Sequence, residues 1–322
     1  MKAGIQNEKT GFRVRPGMTI LNMKISENIK DFRSGYVSII GRPNVGKSTL
    51  LNSILGEKIA IVTPKPQTTR NRIIGVKTLP DAQIIFIDTP GIHIPRHKLG
   101  ETMVRVATEA LKEVDVILFM VEPREPERGD KAVIAILKKV RAPVFLLVNK
   151  IDLVKKQDLL PLIDHFKGIY PFEEIIPVSA VQQDGIDLLM KKICNYLPLG
   201  PKYYPDEIIT DQMERFMVSE IIREKLMEMT KEELPHSVAV KVNKWNERED
   251  GLISISCNIY VEREGQKAII IGKRGSMLKA VGSDARVDIE KLLNTKVFLE
   301  LWVKVKRHWR SDKQLLKELG YQ

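Results

Sequence analysis

The chain has 322 residues, of which 43% are hydrophobic and 29% charged, as expected for a globular protein with room for two domains. No apolar run approaches the roughly 20 residues of a membrane-spanning helix, and the first residues lack the basic-then-apolar order of a signal peptide. Cys194 and Cys257 are isolated, which excludes a disulfide framework and indicates a reducing, cytoplasmic setting. The net charge of +11 favours a polyanionic partner, but the basic excess is spread along the chain and must act through local clusters.

Residues 1–33 are polar, show no clear periodicity and are predicted to form a flexible N-terminal extension. From residue 34 to residue 197, short apolar strands alternate with amphipathic helices, such as those expected over 98–113 and 131–140. This alternation predicts an α/β domain with a mostly parallel sheet and helices on both faces.

The first strongly patterned segment is a phosphate-binding loop, with two glycines separated by four residues and followed by Lys-Ser. It comprises Gly41, Arg42, Pro43, Asn44, Val45, Gly46, Lys47, Ser48 and Thr49. The loop stands between a predicted strand, 36–40, and a predicted helix, 49–55. Its backbone amides can close around phosphates, and the helix N-terminus adds partial positive charge. Lys47 is expected to reach the β- and γ-phosphates, and Ser48 to offer its hydroxyl to Mg²⁺.

A second motif follows the predicted strand 84–87 and consists of Asp88, Thr89, Pro90, Gly91 and Ile92. An aspartate at the carboxyl end of a strand lies where ligands bind in open α/β sheets, so Asp88 can hold Mg²⁺ through water. Gly91 lets the backbone approach the γ-phosphate closely. This segment therefore extends the expected nucleotide site.

Two further segments select guanine. They follow the predicted strands 144–148 and 175–178 and comprise Asn149, Lys150, Asp152, Ser179 and Ala180. The Asp152 carboxylate can accept hydrogen bonds from N1–H and the amino group of guanine, and a backbone N–H at 179–180 can meet guanine O6. Adenine would leave that carboxylate unpaired, a mismatch that can cost roughly 10⁴-fold in specificity. GTP and GDP are therefore the expected ligands, and an ATP-driven nucleic-acid enzyme is disfavoured.

The proline-rich stretch 198–211 is predicted to be a stiff connector between two domains. Beyond it, residues 212–306 predict a smaller α+β domain in the order helix, strand, strand, helix, helix, strand. Residues 307–322 are predicted to form a C-terminal tail.

The loop of Gly272, Lys273, Arg274 and Gly275 precedes the predicted helix 276–293. In KH domains such a loop clamps the backbone of about four nucleotides, and the element order around it is that of the KH variant with two leading strands. The alternative is a glycine helix cap without a ligand. Residues 267–279 hold four basic residues and no acid, which favours RNA binding and adds Lys279 to the candidate site.

A last basic stretch brings Lys304, Lys306 and Arg307 together with the aromatic Trp309. Basic and aromatic side chains in alternation could grip phosphates or stack on bases. The alternative is a solvated charged end with Trp309 folded onto the domain. The sequence leaves both possibilities open.

Taken together, these motifs resemble the Era family of bacterial GTPases over residues 35–322. Beyond the phosphate loop, the resemblance is carried by residues 66–70, 88–93, 210–211, 215–216, 220–225, 261–267 and 299–306. Residues 1–33 depart from the family pattern. The resemblance implies a cytoplasmic GTPase that binds the 3′ end of 16S rRNA, assists assembly of the small ribosomal subunit and associates peripherally with the inner membrane. Nothing in the sequence indicates a dimer interface, so a monomer is expected.

Similarity to related GTPases also implies roles for individual residues. One of Thr68 and Thr69 would join Ser48 and Asp88 around Mg²⁺, and similarity to related GTPases favours Thr69. The first switch is expected over 59–75 and the second over 88–99. Asn44 stands where related GTPases hold K⁺ beside the phosphates, so K⁺ is a candidate second cation. Lys47, Asn44, Thr69 and Gly91 are accordingly the expected catalytic residues.

Ile92 occupies the position where Ras-like enzymes carry the glutamine that orients water. An aliphatic side chain can neither donate nor accept a hydrogen bond, so intrinsic hydrolysis should be slow. A rival interpretation keeps the GTPase but lets the second domain dock a protein or a membrane surface, with the loop at 272–275 incidental.

Overall fold

The computed structural model describes residues 31–95 and 97–321. The predicted N-terminal extension lies outside the described residues up to position 30, and Arg33 already belongs to the first strand. None of the helices in the described part of the chain has both the length and the apolar character that a bilayer crossing needs.

The larger sheet has six strands in the order β2-β3-β1-β4-β5-β6. These strands are β1 (Arg33–Gly41), β2 (Ile73–Thr78), β3 (Ala82–Asp88), β4 (Val116–Val121), β5 (Val144–Val148) and β6 (Glu174–Pro177). All neighbours pair in parallel except β2, which runs antiparallel to β3 at the edge. The predicted α/β class is confirmed.

Five helices cover the two faces of this sheet: α1 (Lys47–Leu55), α2 (Lys98–Glu109), α3 (Arg128–Leu137), α4 (Lys156–Ile169) and α5 (Ile186–Tyr196). Side chains that alternate along β1 enter different cores: Ile39 packs in the cluster that holds Leu50, and Ile40 in the one that holds Phe119. Strands buried on both faces need continuous apolar runs, which is why their sequences show no polar alternation. Helix α2 ends four residues earlier than predicted, and α3 begins three residues earlier.

The strand order reverses at β1, whose neighbours are β3 on one side and β4 on the other. Ligands of open α/β sheets bind at the carboxyl ends of the strands beside such a reversal. The loops that leave β1, β3, β5 and β6 therefore converge on one edge of the sheet.

The proline-rich segment that follows α5 is pinned to the first domain. The Gln83 side chain donates to the Tyr204 carbonyl at 2.8 Å and accepts from the backbone N–H groups of Tyr203 and Tyr204. Farther along, the Val76 N–H donates to the Ile209 carbonyl at 2.7 Å. This segment is thus held along the β2–β3 edge by hydrogen bonds.

The second sheet has three strands in the order β7-β8-β9, with β7 antiparallel and β9 parallel to the central β8. Its elements, in chain order, are α6 (Glu214–Met229), α7 (Leu234–Ser237), β7 (Ala239–Glu247), β8 (Ile253–Val261), α8 (Glu264–Ile271), α9 (Ser276–Leu293) and β9 (Val297–Val305). Apart from the short α7, this is the predicted order, so the KH-type arrangement is confirmed.

The chain beyond β9 folds back and fills the space between the two domains. It forms a 3₁₀ turn, Trp309–Ser311, and the short helix α10 (Lys313–Glu318). Trp309 is fully buried and stacks on Tyr321 with ring centroids 5.9 Å apart. The same apolar cluster includes Leu99 and Met103 of α2, so this segment packs against the first domain as well.

Candidate nucleotide and RNA sites

The phosphate loop joins β1 to α1 and has the conformation of an anion cradle. Asn44 and Gly46 have φ values of 65° and 104°, which turn successive backbone amides toward the inside of the loop. A Cβ on Gly46 would lie 2.3 Å from the Asn149 side-chain nitrogen, so glycine is required there for close packing as well as for conformation.

Lys47 is buried inside the curve of this loop. Its ammonium donates to the Arg42 carbonyl at 2.8 Å and to the Gly41 carbonyl at 3.4 Å. Burial lowers the pKa of Lys47 to about 8, against an opposing effect of the Asp88 carboxylate. A phosphate bound in the loop would therefore place negative charge beside this desolvated amine and favour its protonated form.

Three oxygen-bearing side chains meet beside Lys47. The Ser48 hydroxyl donates to Asp88 Oδ2 at 2.6 Å and lies 2.8 Å from the Thr69 hydroxyl, which is 3.4 Å from the same carboxylate oxygen. Burial raises the pKa of Asp88, partly offset by Lys47 and these hydroxyls. Within the described residues, Asp88 Oδ1 is buried without a hydrogen-bond partner. Hard oxygen ligands with an unsatisfied carboxylate oxygen fit Mg²⁺.

Elsewhere in the described residues, no group of three or more His, Cys, Asp or Glu side chains could hold a metal. The two hydroxyls and one carboxylate beside Lys47 are the predicted metal-ligand set, and the fold brings them together. Thr69 reaches it from the segment before β2, which is the first predicted switch.

The segment after β3 closes over the phosphate loop. The Ile92 N–H donates to the Gly41 carbonyl at 3.0 Å, and the Thr89 hydroxyl donates to the Ile39 carbonyl at 2.8 Å. A Cβ on Gly91 would lie 2.5 Å from the Pro43 nitrogen, so the two segments can touch only because this residue is glycine. The Ile92 side chain is buried in a core cluster and faces away from the loop interior.

The predicted guanine-binding residues also come together. The Ser179 hydroxyl donates to Asp152 Oδ1 at 2.5 Å, which orients the carboxylate. The Asn149 amide donates to the Val45 carbonyl at 2.8 Å and so ties this segment to the phosphate loop. The Lys150 ammonium donates to the Asn44 carbonyl at 2.8 Å.

The expected contact of the 179–180 backbone with guanine O6 meets a competing partner. The Ala180 N–H donates to Asn149 Oδ1 at 3.0 Å, and the Ser179 N–H donates to the Asp184 carbonyl at 3.0 Å. The Ala180 bond joins the two guanine segments, whereas the Ser179 bond closes the loop after β6 on itself. An O6 contact would require Ala180 to share its N–H with the Asn149 oxygen.

Two side chains of the phosphate loop have partners that the sequence pattern did not indicate. Arg42 turns away from the loop interior toward α3, where its Nε donates to Asp130 at 2.8 Å and its guanidinium pairs with Glu127. The Asn44 amide donates to the Pro64 carbonyl at 2.8 Å and thereby contacts the first switch. Acidic residues after β4 were the available sequence signal for the Arg42 partners.

The segment 58–70, which includes much of the predicted first switch, is bound to the second domain, and the sequence did not reveal this. Glu224 of α6 accepts from Lys58 at 2.6 Å and from the Val62 N–H at 3.0 Å. Arg223 donates to the Thr68 carbonyl at 2.5 Å, and the Lys65 ammonium donates to backbone carbonyls at the end of α6.

Arg70 makes the deepest of these contacts. Its guanidinium donates to the carbonyls of Val238, Pro235 and His236 at 2.6 to 3.3 Å. It also lies 5.9 Å from the Trp309 ring and 5.8 Å from the Tyr321 ring, within range for cation–π contact. Thr69 in the metal-ligand set is therefore followed directly by a residue anchored in the second domain.

The glycine-flanked loop lies between α8 and α9, with Lys273 and Arg274 exposed at its tip. Gly272 has φ 71°, and a Cβ there would lie 2.6 Å from the Met277 Cβ. Gly275 has φ 80° and opens α9. Both glycines are thus needed for the conformation of the loop. A helix cap without a ligand would explain Gly275 as well.

Beside the loop runs a groove of about 410 Å³ between α9 and β9. It is lined by the predicted Lys279 together with Arg286, Ser283, Phe298 and Leu301. The i, i+7 spacing from Lys279 places Arg286 two turns along the same helix face. This spacing was the available signal for Arg286, which the sequence interpretation missed.

The basic residues after the groove separate from one another. Lys304 is exposed on the face of β9 opposite to Leu299 and Leu301, and Arg307 is exposed just beyond the strand. Lys306 instead pairs with Glu318 at 3.1 Å and lies over the Tyr260 ring. Trp309 donates its indole N–H to the Ser237 carbonyl at 3.1 Å. The suggestion that Trp309 stacks on RNA bases is therefore wrong, because its ring is buried at the junction between the domains.

Comparisons with known proteins agree with this two-domain arrangement. A family model described as 50S ribosome-binding GTPase matches residues 36–150, and a KH domain model matches residues 233–310. The GTPase Era of Geobacter metallireducens is 58% identical over 292 residues, which cover 90% of this chain and 98% of that protein. The GTPase Era of Ruminiclostridium cellulolyticum is 54% identical over 291 residues, covering 90% and 98%.

Two solved structures superpose over most of the chain. One is a crystal structure of Era in complex with MgGDPNP and nucleotides 1506–1542 of 16S ribosomal RNA, with a TM-score of 0.88 and 44% identity. The other is a variant of Aquifex aeolicus Era bound to GDP·AlF4⁻, with a TM-score of 0.87 and 44% identity. Each covers 90% of this chain and 99% of the other chain.

Proposed function

This chain belongs to the Era family of GTPases, and from that premise we propose that it couples GTP hydrolysis to binding of the 3′ end of 16S rRNA during assembly of the small ribosomal subunit. It is a GTPase that uses GTP, GDP and Mg²⁺. The proposal covers the target RNA, the residues that bind it, and the coupling between the two activities.

In the nucleotide site, Lys47 and the amides from Gly41 to Thr49 cradle the phosphates, and Asp152 reads guanine with Asn149, Lys150, Ser179 and Ala180 around it. Ser48, Thr69 and Asp88 would hold Mg²⁺, and the ion would supply positive charge beside the phosphates. The convergence of these three side chains within 3.4 Å supports this assignment.

Hydrolysis is proposed to be slow without an activator. The Ile92 side chain is buried in the core, so it cannot place the attacking water. Backbone groups of Asp88 to Ile92 would instead position the attacking water, and Gly91 would let this backbone approach the γ-phosphate closely. Asn44 is proposed to help hold K⁺ beside the phosphates.

RNA is proposed to bind along the loop of Gly272, Lys273, Arg274 and Gly275 and the adjoining groove, with Lys279, Lys304, Lys306 and Arg307 as further candidate contacts. The ion pair between Lys306 and Glu318 would have to open for that residue to take part. Arg286, inside the groove, joins this set.

The observation that carries the proposal is the exposed, glycine-flanked pair Lys273–Arg274 beside a basic groove in a chain with a complete GTP site. The test is GTP hydrolysis and RNA binding with nucleotides 1506–1542 of 16S rRNA and with a scrambled RNA. A double variant, Lys273→Glu with Arg274→Glu, removes the charge without the backbone strain that a change of Gly272 would bring. The matched control is Lys244→Glu with Arg248→Glu, since both residues are exposed and lie on or beyond β7, the sheet edge farthest from the groove.

We expect the matching RNA alone to bind tightly and to raise the hydrolysis rate. The Lys273→Glu, Arg274→Glu variant should lose both effects and keep basal hydrolysis, whereas the control should resemble the unmodified protein. If neither RNA binds or changes the rate, the RNA-binding proposal is wrong, and docking of a protein or membrane surface becomes the better account.

We further propose that the protein works as a monomer in the cytoplasm and associates peripherally with the inner membrane, as the family resemblance implies. Sedimentation with anionic vesicles tests the membrane contact, and light scattering tests the oligomeric state. Failure to sediment at low salt would contradict the membrane part without affecting the RNA part.

A further inference from the structure

A second basic surface lies away from the KH-type groove, in a cleft of about 610 Å³ between α2 and α10. One wall carries Lys98 and Arg105 of the first domain, and the other carries Lys313 and Lys317 of the chain beyond β9. All four side chains are exposed. The cleft exists only because the C-terminal segment folds back onto the first domain.

The charge of this cleft is poorly balanced. Glu101 is the one carboxylate among the residues that line it. In the described part of the chain, Lys98, Lys313 and Lys317 form no ion pair, and Arg105 has only an exposed pairing with Glu109 at 3.8 Å. An exposed pair of that kind contributes little, so the four cations remain free to bind an external anion.

The arrangement of the cations fits an extended polyanion better than one phosphate group. Lys98, Thr102 and Arg105 are spaced i, i+4, i+7 along one face of α2 and cover about 10 Å of its length. Lys313 and Lys317 are one helical turn apart on the facing wall, or about 6 Å. A single phosphate could engage only part of such a double row.

The cleft offers no surface for reading bases. Its one aromatic residue, Tyr321, is buried and occupied by stacking on Trp309. Apart from Glu101 and Leu316, the remaining lining groups are ammonium, guanidinium and hydroxyl groups, which recognise phosphate and sugar but carry no sequence information. The expected ligand is therefore a nucleic-acid backbone bound without sequence preference.

We propose that the α2–α10 cleft is a second RNA site, which holds the phosphodiester backbone of RNA that extends beyond the KH-type groove. This inference rests on the RNA binding proposed above and adds a contact outside the KH-type groove. Its position gives the contact a further consequence: α2 begins at the end of the predicted second switch, 88–99, and Tyr321 on the cleft wall also contacts Arg70 of the predicted first switch. RNA in the cleft would therefore bind next to residues of both predicted switches.

The test uses the full chain and four alanine substitutions, Lys98→Ala, Arg105→Ala, Lys313→Ala and Lys317→Ala. The matched control replaces four other exposed lysines, Lys112, Lys138, Lys139 and Lys191, with alanine, so that the net charge changes equally. Affinity is measured against salt concentration for nucleotides 1506–1542 of 16S rRNA and for a short single-stranded oligonucleotide from its 3′ end. Thermal unfolding of both variants verifies that they are folded.

The cleft variant should bind the longer RNA at least about tenfold more weakly at low salt. The slope of log K against log salt should decrease by about 2 to 3, since each phosphate contact contributes roughly 0.7 to 0.9. Its affinity for the short oligonucleotide, which fits the groove alone, should match that of the control.

Equal affinities and equal salt slopes of the two variants for the longer RNA would overturn the proposal. So would loss of binding to phosphatidylglycerol vesicles by the cleft variant with RNA binding unchanged, since the cleft would then be a lipid site. If the unmodified protein binds neither RNA, the proposed function itself fails and takes the cleft proposal with it. That outcome is distinguishable because it appears without any substitution.

Discussion

Single side chains in the nucleotide site are held by partners that fix their orientation before a ligand arrives. Ser179 orients Asp152, Asn149 ties the guanine segment to the phosphate loop, and Ser48 orients Asp88. Ser48 is recognisable from the phosphate-loop spacing, and the other residues because they follow continuous apolar strands in a fixed order. Their mutual hydrogen bonds could not be predicted, since the strands that bring them together are distant along the chain.

Substitution of Asp152 should change the base that the protein prefers. In an Asp152→Asn variant, one of the two guanine donors faces an amide N–H₂ group, whereas xanthine offers a carbonyl oxygen at the same place. We expect GTP affinity to fall by at least about 100-fold and XTP to bind better than GTP, because unpaired polar groups are rejected strongly. Competition between fluorescent nucleotides measures both affinities. Unchanged preference for GTP would contradict the assignment of Asp152.

Asn44 should determine whether hydrolysis depends on K⁺. We expect hydrolysis to be about tenfold or more faster in KCl than in NaCl at matched ionic strength, because a fixed cation stabilises transition-state charge. Asn44→Gly removes the side chain and tolerates the φ of 65° at this position, so it should make the two rates equal. Phosphate release assays provide the rates, and equal rates for the unmodified protein would reject the K⁺ hypothesis.

At the scale of elements, most strands and helices of both domains could be predicted from apolar runs and from the glycines and prolines that bound them. Helix α9 and strand β9 have the predicted limits, because a glycine opens α9 and alternation marks β9. The antiparallel edge strand β2 and the fold of the C-terminal segment were not predictable. Both depend on surfaces that distant parts of the chain create: β3 for the strand, and the junction of the two domains for α10.

The C-terminal segment should contribute to stability as a core element. Trp309→Ala removes a fully buried ring and its hydrogen bond to Ser237, at an expected cost of about 3–5 kcal/mol in unfolding free energy. Trp302→Ala is the matched control, since that ring is 58% exposed and its loss should cost less than about 0.5 kcal/mol. Urea unfolding followed by circular dichroism compares the two variants. Equal midpoints would show that Trp309 does not support the fold.

In the whole molecule, the segment predicted as the first switch connects the nucleotide site to the KH-type domain. Thr69 belongs to the predicted metal-ligand set, and the next residue, Arg70, is anchored in the second domain. The sequence indicated two domains with a stiff connector between them. It did not indicate that this segment contacts the second domain, because nothing in residues 58–70 marks which surface they contact.

This bridge should make nucleotide and RNA binding interdependent. If the GTP form binds RNA more tightly than the GDP form by some factor, RNA must raise the ratio of GTP to GDP affinity by the same factor. Arg70→Ala should bring that factor close to one, whereas Arg72→Ala, an exposed neighbour, should leave it unchanged. Titration calorimetry with both ligands measures it. Equal RNA binding by both nucleotide forms of the unmodified protein would contradict the switch.

The position of Trp309 and Tyr321 along the chain has a consequence for biosynthesis. A chain emerging from the ribosome exposes all strands of both sheets before the residues that close the junction between them. Domains generally fold as units in the order of their synthesis, so the GTP-binding half can fold while its anchor for Arg70 is still incomplete. A chain truncated before Trp309 would contain the nucleotide-binding domain but lack the two aromatic rings that contact Arg70. Synthesis of residues 309–321 is thus the step that would connect the predicted switch to the second domain.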